Sequence, residues 1–496
     1  MVQKVDTAAV TGLDVRRVKV EVAITRGTPM IQIVGLAQSA VREGRERIRA
    51  AVSQIGLHVP GLRITVNLAP ADIRKDGSAF DLPITVGILT AAGTIPADRI
   101  RGTIIVGELG LDGRLRPIRG ALPIALHAGD STDAERLIVP AENEVEARSA
   151  PDLDVIGAAT LTEVLDFLRN GARPPQRPRR RAPASRPARN APDLSSVRGQ
   201  LAAKRALEIA AAGGHNLLMR GSPGAGKTSL ARCLPGILPP LERREAVQVT
   251  AIHSVAGTLG PDRGLMVERP FRAPHHSISE AGLVGGGSIP RPGEASLAHC
   301  GVLFLDELPE FGRGALESLR QPLEEGAIHL VRAQASATFP ARFTLVAAMN
   351  PCPCGRLYES GTGCECPPGR VQAYQRRLSG PLLDRIDMHV DVPPVTWGEL
   401  ASPVTESSAS VRERVVAAMK ARPHIRSDRE DPVRDPRLTS ESRALLRAAI
   451  DRVSLSARGV HRTIRVARTI ASLEGTDAIE ESAVAEAIRY RAPPAA

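Results

Sequence analysis

Aromatic residues and long apolar runs are both scarce in this chain of 496 residues. Phenylalanine, tyrosine and tryptophan make up 2% of it, so its cores must be built from alanine, valine, leucine and isoleucine. No apolar run approaches the roughly 18 residues of a membrane-spanning helix, and Asp6 and Asp14 stand where a secretory signal would be apolar. The sequence therefore predicts a cytoplasmic protein without a membrane partner.

Acidic residues are absent from residues 170–192, which contain seven arginines and six prolines. Such a stretch cannot bury enough apolar surface to offset its ordering entropy, so we predict a disordered linker over 169–192. The segment carries most of the net charge of +11, which alone is a weak indication of a nucleic-acid partner. It either binds DNA non-specifically or serves only as a soluble tether.

The periodicity of apolar residues divides the rest of the chain into three regions. Residues 1–168 alternate short apolar runs with helical patterns, which predicts a mixed domain. Residues 193–395 alternate strands and helices, as a doubly wound parallel sheet does. Residues 396–496 show apolar residues at spacings of three and four, which indicates helices, one of them over 440–453. The predicted fold class is α/β, with an N-terminal α+β domain, a parallel-sheet core and a C-terminal helical bundle.

A glycine-rich motif, GSPGAGKTS, follows the apolar strand predicted over 215–220 and opens a helix at Thr228. In this strand–loop–helix context, backbone N–H groups close around a phosphate and the helix dipole adds to the attraction. Lys227 is expected to reach the β- and γ-phosphates of ATP, and the Thr228 hydroxyl to hold Mg²⁺. The predicted nucleotide-binding residues are Gly221, Ser222, Pro223, Gly224, Ala225, Gly226, Lys227, Thr228 and Ser229.

Two further apolar strands end in polar side chains. GVLFLD, residues 301–306, is a buried parallel strand that delivers Asp306 and Glu307 at its carboxyl end. Asp306 is expected to coordinate Mg²⁺ through water, and Glu307 to polarise the attacking water. The strand over 343–349 ends in Asn350, which either orients that water or simply begins a turn before Pro351.

These motifs carry a family resemblance over nearly all of the chain. DLSSVRGQ (193–200), GSPGAGKT, LFLDE, LVAAMN and LLDRID (382–387) resemble an AAA+ module. FRAPHHSIS, GGGSIPRPGEASLAH and LSGPLLDRIDMHV narrow the resemblance to magnesium-chelatase-like AAA+ ATPases of the ComM/YifB type. The resemblance implies an ATP-hydrolysing motor with ATP and Mg²⁺ as cofactors.

The same resemblance implies further site residues. Val197 and Gln200 should lie by the adenine, and Arg458 matches the sensor-2 arginine of a helical lid. Arg385 matches the arginine finger that reaches the γ-phosphate of a neighbouring subunit, so the family implies a homohexamer. Mobile cations suit this role because charge develops on the γ-phosphoryl oxygens. The alternative for each arginine is a surface ion pair.

The N-terminal region contains stretches that resemble the proteolytic domain of Lon. They are NLAPADIRKDGSAFDLPI (67–84), VGELGLDGRLRPIRGAL (106–122) and LIVPAEN (137–143). Lon works through a Ser–Lys dyad, but its serine position falls at Ala79 and its lysine position at Leu122. Ser78 is one residue away and stays open as a displaced nucleophile, although nothing supplies its base. We therefore expect a scaffold or interaction domain rather than a peptidase.

Four of the six cysteines form two C-x-C pairs separated by nine residues: Cys352, Cys354, Cys364 and Cys366. Disulfides are disfavoured in the cytosol, so the cluster is either a structural Zn²⁺ site with four thiolate ligands or a set of reduced, unligated thiols. The C-x-C spacing is tighter than the usual C-x-x-C of zinc sites.

The substrate is the least specified feature. The resemblance implies helicase or branch-migration activity on DNA during recombination of incoming DNA (natural transformation), with recombination proteins as further candidate partners. IHLVRAQASATFPARF predicts a β-hairpin whose Arg332 and Arg342 either face a central pore and track phosphates or lie on a solvated surface. Two alternatives stay open: a protein remodeller that uses the Lon-like domain, and a magnesium-chelatase subunit. The Lon-like domain argues against the latter, because chelatase motor subunits resemble only the later portion of this chain.

Overall fold

The computed structural model of the chain describes residues 2–35, 39–72, 75, 77–131, 133–175, 191–260, 263–332, 335–357, 363–401, 406–421, 432–453 and 455–491. Residues 176–190 of the predicted linker lie outside the described residues, and its disorder stays a prediction. A helix spans Leu161–Asn170, across the predicted boundary at 168, and the domain boundaries stay predictions.

The strands are β1 (Gln3–Thr11), β2 (Asp14–Thr25), β3 (Met30–Val34), β4 (Arg63–Ala69), β5 (Thr103–Ile105), β6 (Glu108–Leu109), β7 (Leu115–Arg116), β8 (Arg136–Pro140), β9 (Asp154–Ala158), β10 (Leu217–Arg220), β11 (Phe271–Arg272), β12 (Gly285–Gly286), β13 (Arg291–Pro292), β14 (Val302–Leu305), β15 (Ala327–Arg332), β16 (Ala335–Pro340), β17 (Thr344–Met349) and β18 (Met388–Asp391). The α-helices are α1 (Ser39–Gln54), α2 (Asp81–Ala91), α3 (Ala121–Gly129), α4 (Glu144–Ala147), α5 (Leu161–Asn170), α6 (Leu201–Gly213), α7 (Lys227–Ile237), α8 (Arg243–Ala256), α9 (Glu280–Val284), α10 (Glu294–Leu297), α11 (Arg313–Ser318), α12 (Arg320–Glu325), α13 (Pro368–Gln375), α14 (Gly380–Leu383), α15 (Trp397–Ala401), α16 (Ser408–Ala421), α17 (Ser440–Val453), α18 (Ala457–Leu473) and α19 (Glu481–Arg489).

The N-terminal domain is built on a mixed sheet of seven strands in the order β3-β4-β2-β1-β5-β8-β9. β2 pairs antiparallel with both β1 and β4. The pairs β3–β4, β1–β5, β5–β8 and β8–β9 are parallel. Helix α2 is buried from Asp81 to Thr90, because it is apolar on every side and lies against β1 and β2. The predicted mixed domain is confirmed.

The central domain is built on a sheet of five parallel strands in the order β11-β14-β17-β10-β18. Strand β14 is fully buried, since its four residues are apolar and helices cover both sheet faces. β17 lies between β10 and β14, so the carboxyl ends of these three strands meet at one edge. This adjacency brings together the three motifs that the sequence places at strand ends, and the doubly wound sheet is confirmed.

The C-terminal helices share one hydrophobic core with one face of this sheet. Buried Val415, Ile464 and Val484 belong to the same cluster as Leu217 of β10 and Leu230 of α7. The predicted helix over 440–453 has the bounds of α17. Among the described residues, no helix is both long and apolar enough to cross a membrane.

The N-terminal domain packs directly on the central domain. The β1–β2 turn meets β16 so closely that a Cβ atom on Gly12 would lie 2.6 Å from Cβ of Ala337. Helix α3 packs against α8, and the amide of Gly120 donates to the carbonyl of Ser254 at 3.3 Å.

Candidate functional site

The glycine loop joins β10 to α7 and has the backbone that its sequence requires. Gly226 has a φ of +91°, in the left-handed region that glycine adopts without strain. A Cβ atom on Gly221 would lie 2.1 Å from the carbonyl oxygen of Val392, so only glycine fits there. Helix α7 begins at Lys227, and its first N–H groups form the anion-binding end of the loop.

Lys227 lies inside the loop with its side chain buried. Its ammonium donates to the carbonyls of Gly221 at 2.6 Å and Ser222 at 2.8 Å, and to Oδ1 of Asn350 at 3.2 Å. Burial lowers the pKa of Lys227, while the carboxylates of Asp306 and Glu307 act in the opposite direction. The ammonium is therefore held at the centre of the three strand ends.

Thr228 and Asp306 meet across the strand edge. The Thr228 hydroxyl donates to Oδ2 of Asp306 at 2.7 Å, so a hydroxyl and a carboxylate converge on one point. Oxygen ligands of this kind suit Mg²⁺ next to phosphates. The residues present fit a magnesium–nucleotide site, with Thr228 and Asp306 as the magnesium-facing pair.

Glu307 is exposed, and its backbone is left-handed, with a φ of +52°. Strained backbone of this kind clusters at functional sites. Nδ1 of His276 lies 3.4 Å from Oε2 of Glu307. The His276 ring also lies tilted beside His275 and makes a T-shaped contact with Phe311. His276 had no role among the predicted site residues. The available signal was the histidine pair in FRAPHHSIS, just after the strand that pairs with β14.

Asn350 lies at the end of β17 with its side chain on Lys227, which favours the orienting role over a simple turn. Its backbone hydrogen-bonds to the hydroxyl of buried Tyr374. Gln375 donates to the carbonyl of Pro351 at 3.2 Å. Helix α13 therefore fixes the start of the loop that follows Asn350.

Val197 and Gln200, expected near the adenine, are both buried. The Gln200 amide donates to the carbonyls of Ala225 at 3.3 Å and Pro393 at 2.5 Å. The Val197 carbonyl accepts from Lys204 at 2.5 Å. Gln200 thus ties the loop to the end of the sheet, and the adenine contact stays a prediction.

Arg385 and Arg458 both face Glu324. The guanidinium of Arg385 is only 5% exposed and donates to Glu324, and Nη1 of Arg458 lies 3.8 Å from the same carboxylate. They line a pocket of about 230 Å³ with Asp384, Pro432, His461, Arg462 and Arg465, and none of its residues belongs to the glycine loop. Arg458, expected to be the lid arginine, therefore lies in the same pocket as Arg385, expected to be the arginine finger. No sequence pattern indicated Glu324 as their shared partner.

The predicted hairpin is formed by β15 and β16, but its two arginines lie at opposite ends. Arg332 pairs with Ala335 at the tip, whereas Arg342 follows Pro340, which pairs with Ala327 at the base. Six-residue strands separate these positions by about 20 Å. Only Arg332 is at the tip, and a pore-facing role for the two arginines stays a prediction. The short hairpin of β12 and β13 approaches it there, with Gly286 beside the Arg332 guanidinium.

The four clustered cysteines lie together after β17. The sulfur atoms of Cys352, Cys354, Cys364 and Cys366 all lie within 4.8 Å of one another. This arrangement matches a metal site with four thiolate ligands.

In the N-terminal domain, Ser78 donates to the carboxylate of Glu108. Leu122, at the position of the Lon lysine, is buried in α3. The absence of peptidase activity stays a prediction.

Comparison with known families covers all three regions of the chain. Residues 193–400 match the family described as magnesium chelatase, subunit ChlI. Residues 20–143 match subunit ChlI of Mg-chelatase, and 405–491 match the ChlI C-terminal family. Because the N-terminal domain also matches a chelatase family, its likeness to Lon does not argue against a chelatase subunit.

Full-length relatives exist in several bacteria. The chain is 44% identical to an uncharacterized protein of Mycobacterium tuberculosis, over 98% of this chain and 97% of that one. It is 42% identical to YifB of Escherichia coli (98% and 96%) and 42% identical to competence protein ComM of Haemophilus influenzae (97% and 96%). A partial match, 25% identical over 166 residues, joins it to Lon protease 2 of Bacillus subtilis. This chain therefore belongs to the magnesium chelatase ChlI family, as a magnesium-chelatase-like ATPase related to ComM and YifB.

Proposed function

We propose that this ATPase works as a ring of six identical subunits, with each ATP held between two of them. The observation that carries this proposal is the division of the site on one chain. Lys227, Asp306 and Glu307 meet at the strand edge, whereas Arg385 and Arg458 line a separate pocket with no residue of the glycine loop. A head-to-tail ring places one such face against the other.

In this ring the chain's own residues divide the work. Lys227 and the loop N–H groups hold the β- and γ-phosphates, and Glu307 accepts a proton from the water that Asn350 orients. Mg²⁺, when bound by Thr228 and Asp306, neutralises charge on the phosphates. Arg385 of the adjoining subunit leaves Glu324 and stabilises the charge that develops on the γ-phosphoryl oxygens, with Arg458 beside it.

The motor acts on DNA in this proposal, as a helicase or branch-migration factor for incoming DNA. Arg332 is exposed at the tip of the β15–β16 hairpin, beside the β12–β13 hairpin with exposed Arg291. Paired hairpins with basic tips follow a phosphate backbone without reading bases. The relative ComM is named a competence protein, and competence is the capacity to take up DNA.

Unwinding of a labelled four-way DNA junction tests this proposal. We expect ATP-dependent unwinding by the unaltered chain and none by Glu307→Gln, which should still bind ATP. Arg332→Ala should weaken DNA binding and reduce its salt dependence, whereas Arg342→Ala, at the hairpin base, is the matched control with a smaller effect. A chain that hydrolyses ATP but does not unwind any junction would contradict the DNA assignment.

A protein remodeller is the second candidate, favoured by the partial match to Lon protease 2. ATPase rates measured with DNA and with an unfolded protein separate the two. Stimulation by DNA that disappears steeply with salt indicates the helicase. Stimulation by the unfolded protein alone indicates the remodeller, and ATP-dependent insertion of Mg²⁺ into a porphyrin would indicate a chelatase subunit.

A further inference from the structure

The four-cysteine cluster has the dimensions of a mononuclear metal site. Sγ of Cys352 lies 3.3 Å from that of Cys354 and 3.6 Å from that of Cys364, and Cys354 and Cys364 are also 3.6 Å apart. A tetrahedral zinc with Zn–S bonds of about 2.3 Å places its sulfur ligands about 3.8 Å apart. We propose that Cys352, Cys354, Cys364 and Cys366 bind one zinc ion, which holds the loop after Asn350 against the phosphate-binding loop.

Other states of four thiols fit these distances less well. A disulfide requires two sulfur atoms at about 2.05 Å and leaves the remaining pair apart. Here no pair is singled out, and all six cysteines of the chain are free thiols. Since all four positions are protein ligands, the zinc has no open site for catalysis and is structural.

The position of the cluster connects it to the ATP site. It begins two residues after Asn350, whose side chain accepts from Lys227. Gly355 lies between the two C-x-C pairs, with a φ of +81°, and packs on the phosphate-binding loop. A Cβ atom on Gly355 would lie 2.4 Å from Cδ of Pro223, so these two loops are in direct contact.

Zinc therefore acts on nucleotide binding through two contacts, Asn350 with Lys227 and Gly355 with Pro223. Without the metal, four thiolates have no common partner, and the loop that carries both contacts loses its cross-link. This effect on nucleotide binding rests on the ATPase function proposed above, whereas metal binding itself does not.

Elemental analysis of the full-length protein, purified without chelators, tests the metal site. We expect one zinc per chain in the unaltered protein and in Cys300→Ser, which alters a cysteine outside the cluster. Cys364→Ser should lose the zinc. Unaltered protein that is metal-free, or that contains iron instead, would overturn the assignment, as would Cys364→Ser with full zinc. If that variant does not fold, the unaltered protein is treated with a mercurial thiol reagent and the released zinc is measured. Release of zinc supports the four-cysteine site. Zinc that stays bound when all thiols have reacted overturns it.

Gly355→Ala tests the connection to the ATP site while leaving all four thiols in place. We expect it to keep one zinc and to bind a fluorescent ATP analogue about tenfold more weakly, because the new methyl group displaces the phosphate-binding loop. Gly475→Ala is the matched control, with a similar φ of +75° and no atom within 4 Å of the new Cβ. Equal affinity in both variants would overturn the connection, whatever the outcome with DNA.

Discussion

Replacing Glu307 by glutamine in one population of chains and Arg385 by alanine in another separates the two proposed halves of the ATP site. The first variant keeps the arginine pocket and loses the group that activates water. The second keeps the strand edge, with Thr228 and Asp306 still 2.7 Å apart, and loses the arginine. Neither variant should form a complete site on its own.

The expected loss and recovery of ATPase activity follow from which subunit supplies Glu307 and which supplies Arg385. An arginine finger is worth about 10³- to 10⁵-fold in kcat, so Arg385→Ala alone should hydrolyse ATP at less than about one thousandth of the normal rate. In a mixed ring, a site is complete where an Arg385→Ala chain supplies Glu307 and a Glu307→Gln chain supplies Arg385. Random mixing at equal amounts makes about one quarter of the interfaces complete in a closed ring.

Steady-state ATPase measurements on the mixed chains, after subunit exchange, check this prediction. We expect recovery to about one quarter of the normal rate, because about one quarter of the interfaces are complete. Arg244→Ala, an exposed arginine of α8, is the control and should be fully active. No recovery despite demonstrated mixed rings, or a fully active Arg385→Ala monomer, would refute the shared site.

Mixing two variants also shows whether Arg458 serves the ATP site of its own chain or that of the neighbouring subunit. Because Arg458 faces Glu324 together with Arg385, we expect both arginines to serve the neighbouring subunit. A mixture of Arg458→Ala and Arg385→Ala chains should then stay inactive, since no chain supplies both arginines. Recovery in this mixture would place Arg458 in the site of its own chain.

Three further predictions concern other contacts. His276→Ala should lower kcat about tenfold with little change in KM, because the ring positions Glu307. His276→Gln should restore some of the lost kcat. A change in KM as large as the change in kcat would contradict this role. Asp435→Asn should destabilise the C-terminal helices by about 3–5 kcal/mol in urea unfolding, since it leaves the buried Arg468 without its carboxylate. Burial raises the pKa of Glu146, so stability is lost as the pH rises from the ordinary carboxyl pKa of the unfolded chain through the raised pKa of the folded protein. Glu146→Gln should therefore melt higher than the unaltered protein at pH 8 and equally at pH 4.

Much of the fold could be predicted because its signals are local. Four consecutive apolar residues before Asp306 are enough to indicate a buried parallel strand, and these four residues form β14. The glycine spacing in 221–226 fixes a loop that other residues cannot form. The apolar spacing over 440–453 predicted a helix with the same bounds as α17.

The candidate site could be predicted only where its residues stand in a motif. Glu324 stands in no motif, and the motif around His276, FRAPHHSIS, assigns that histidine no role. Each becomes a site residue only because it lies beside Arg385 or Glu307. Arg332 and Arg342 look equivalent along the chain, but hairpin pairing places one at the tip and the other at the base.

The sequence by itself therefore determined the phosphate-binding loop, the two carboxylates after β14 and the two C-x-C pairs. Each of these depends on residues close together in the chain, whose chemistry and backbone needs are local. The tertiary structure alone decided that three strand ends meet at one edge, that four sulfur atoms converge, and that Arg385 and Arg458 face Glu324 away from the loop. These outcomes depend on strand order and helix packing between distant segments, which no local pattern specifies.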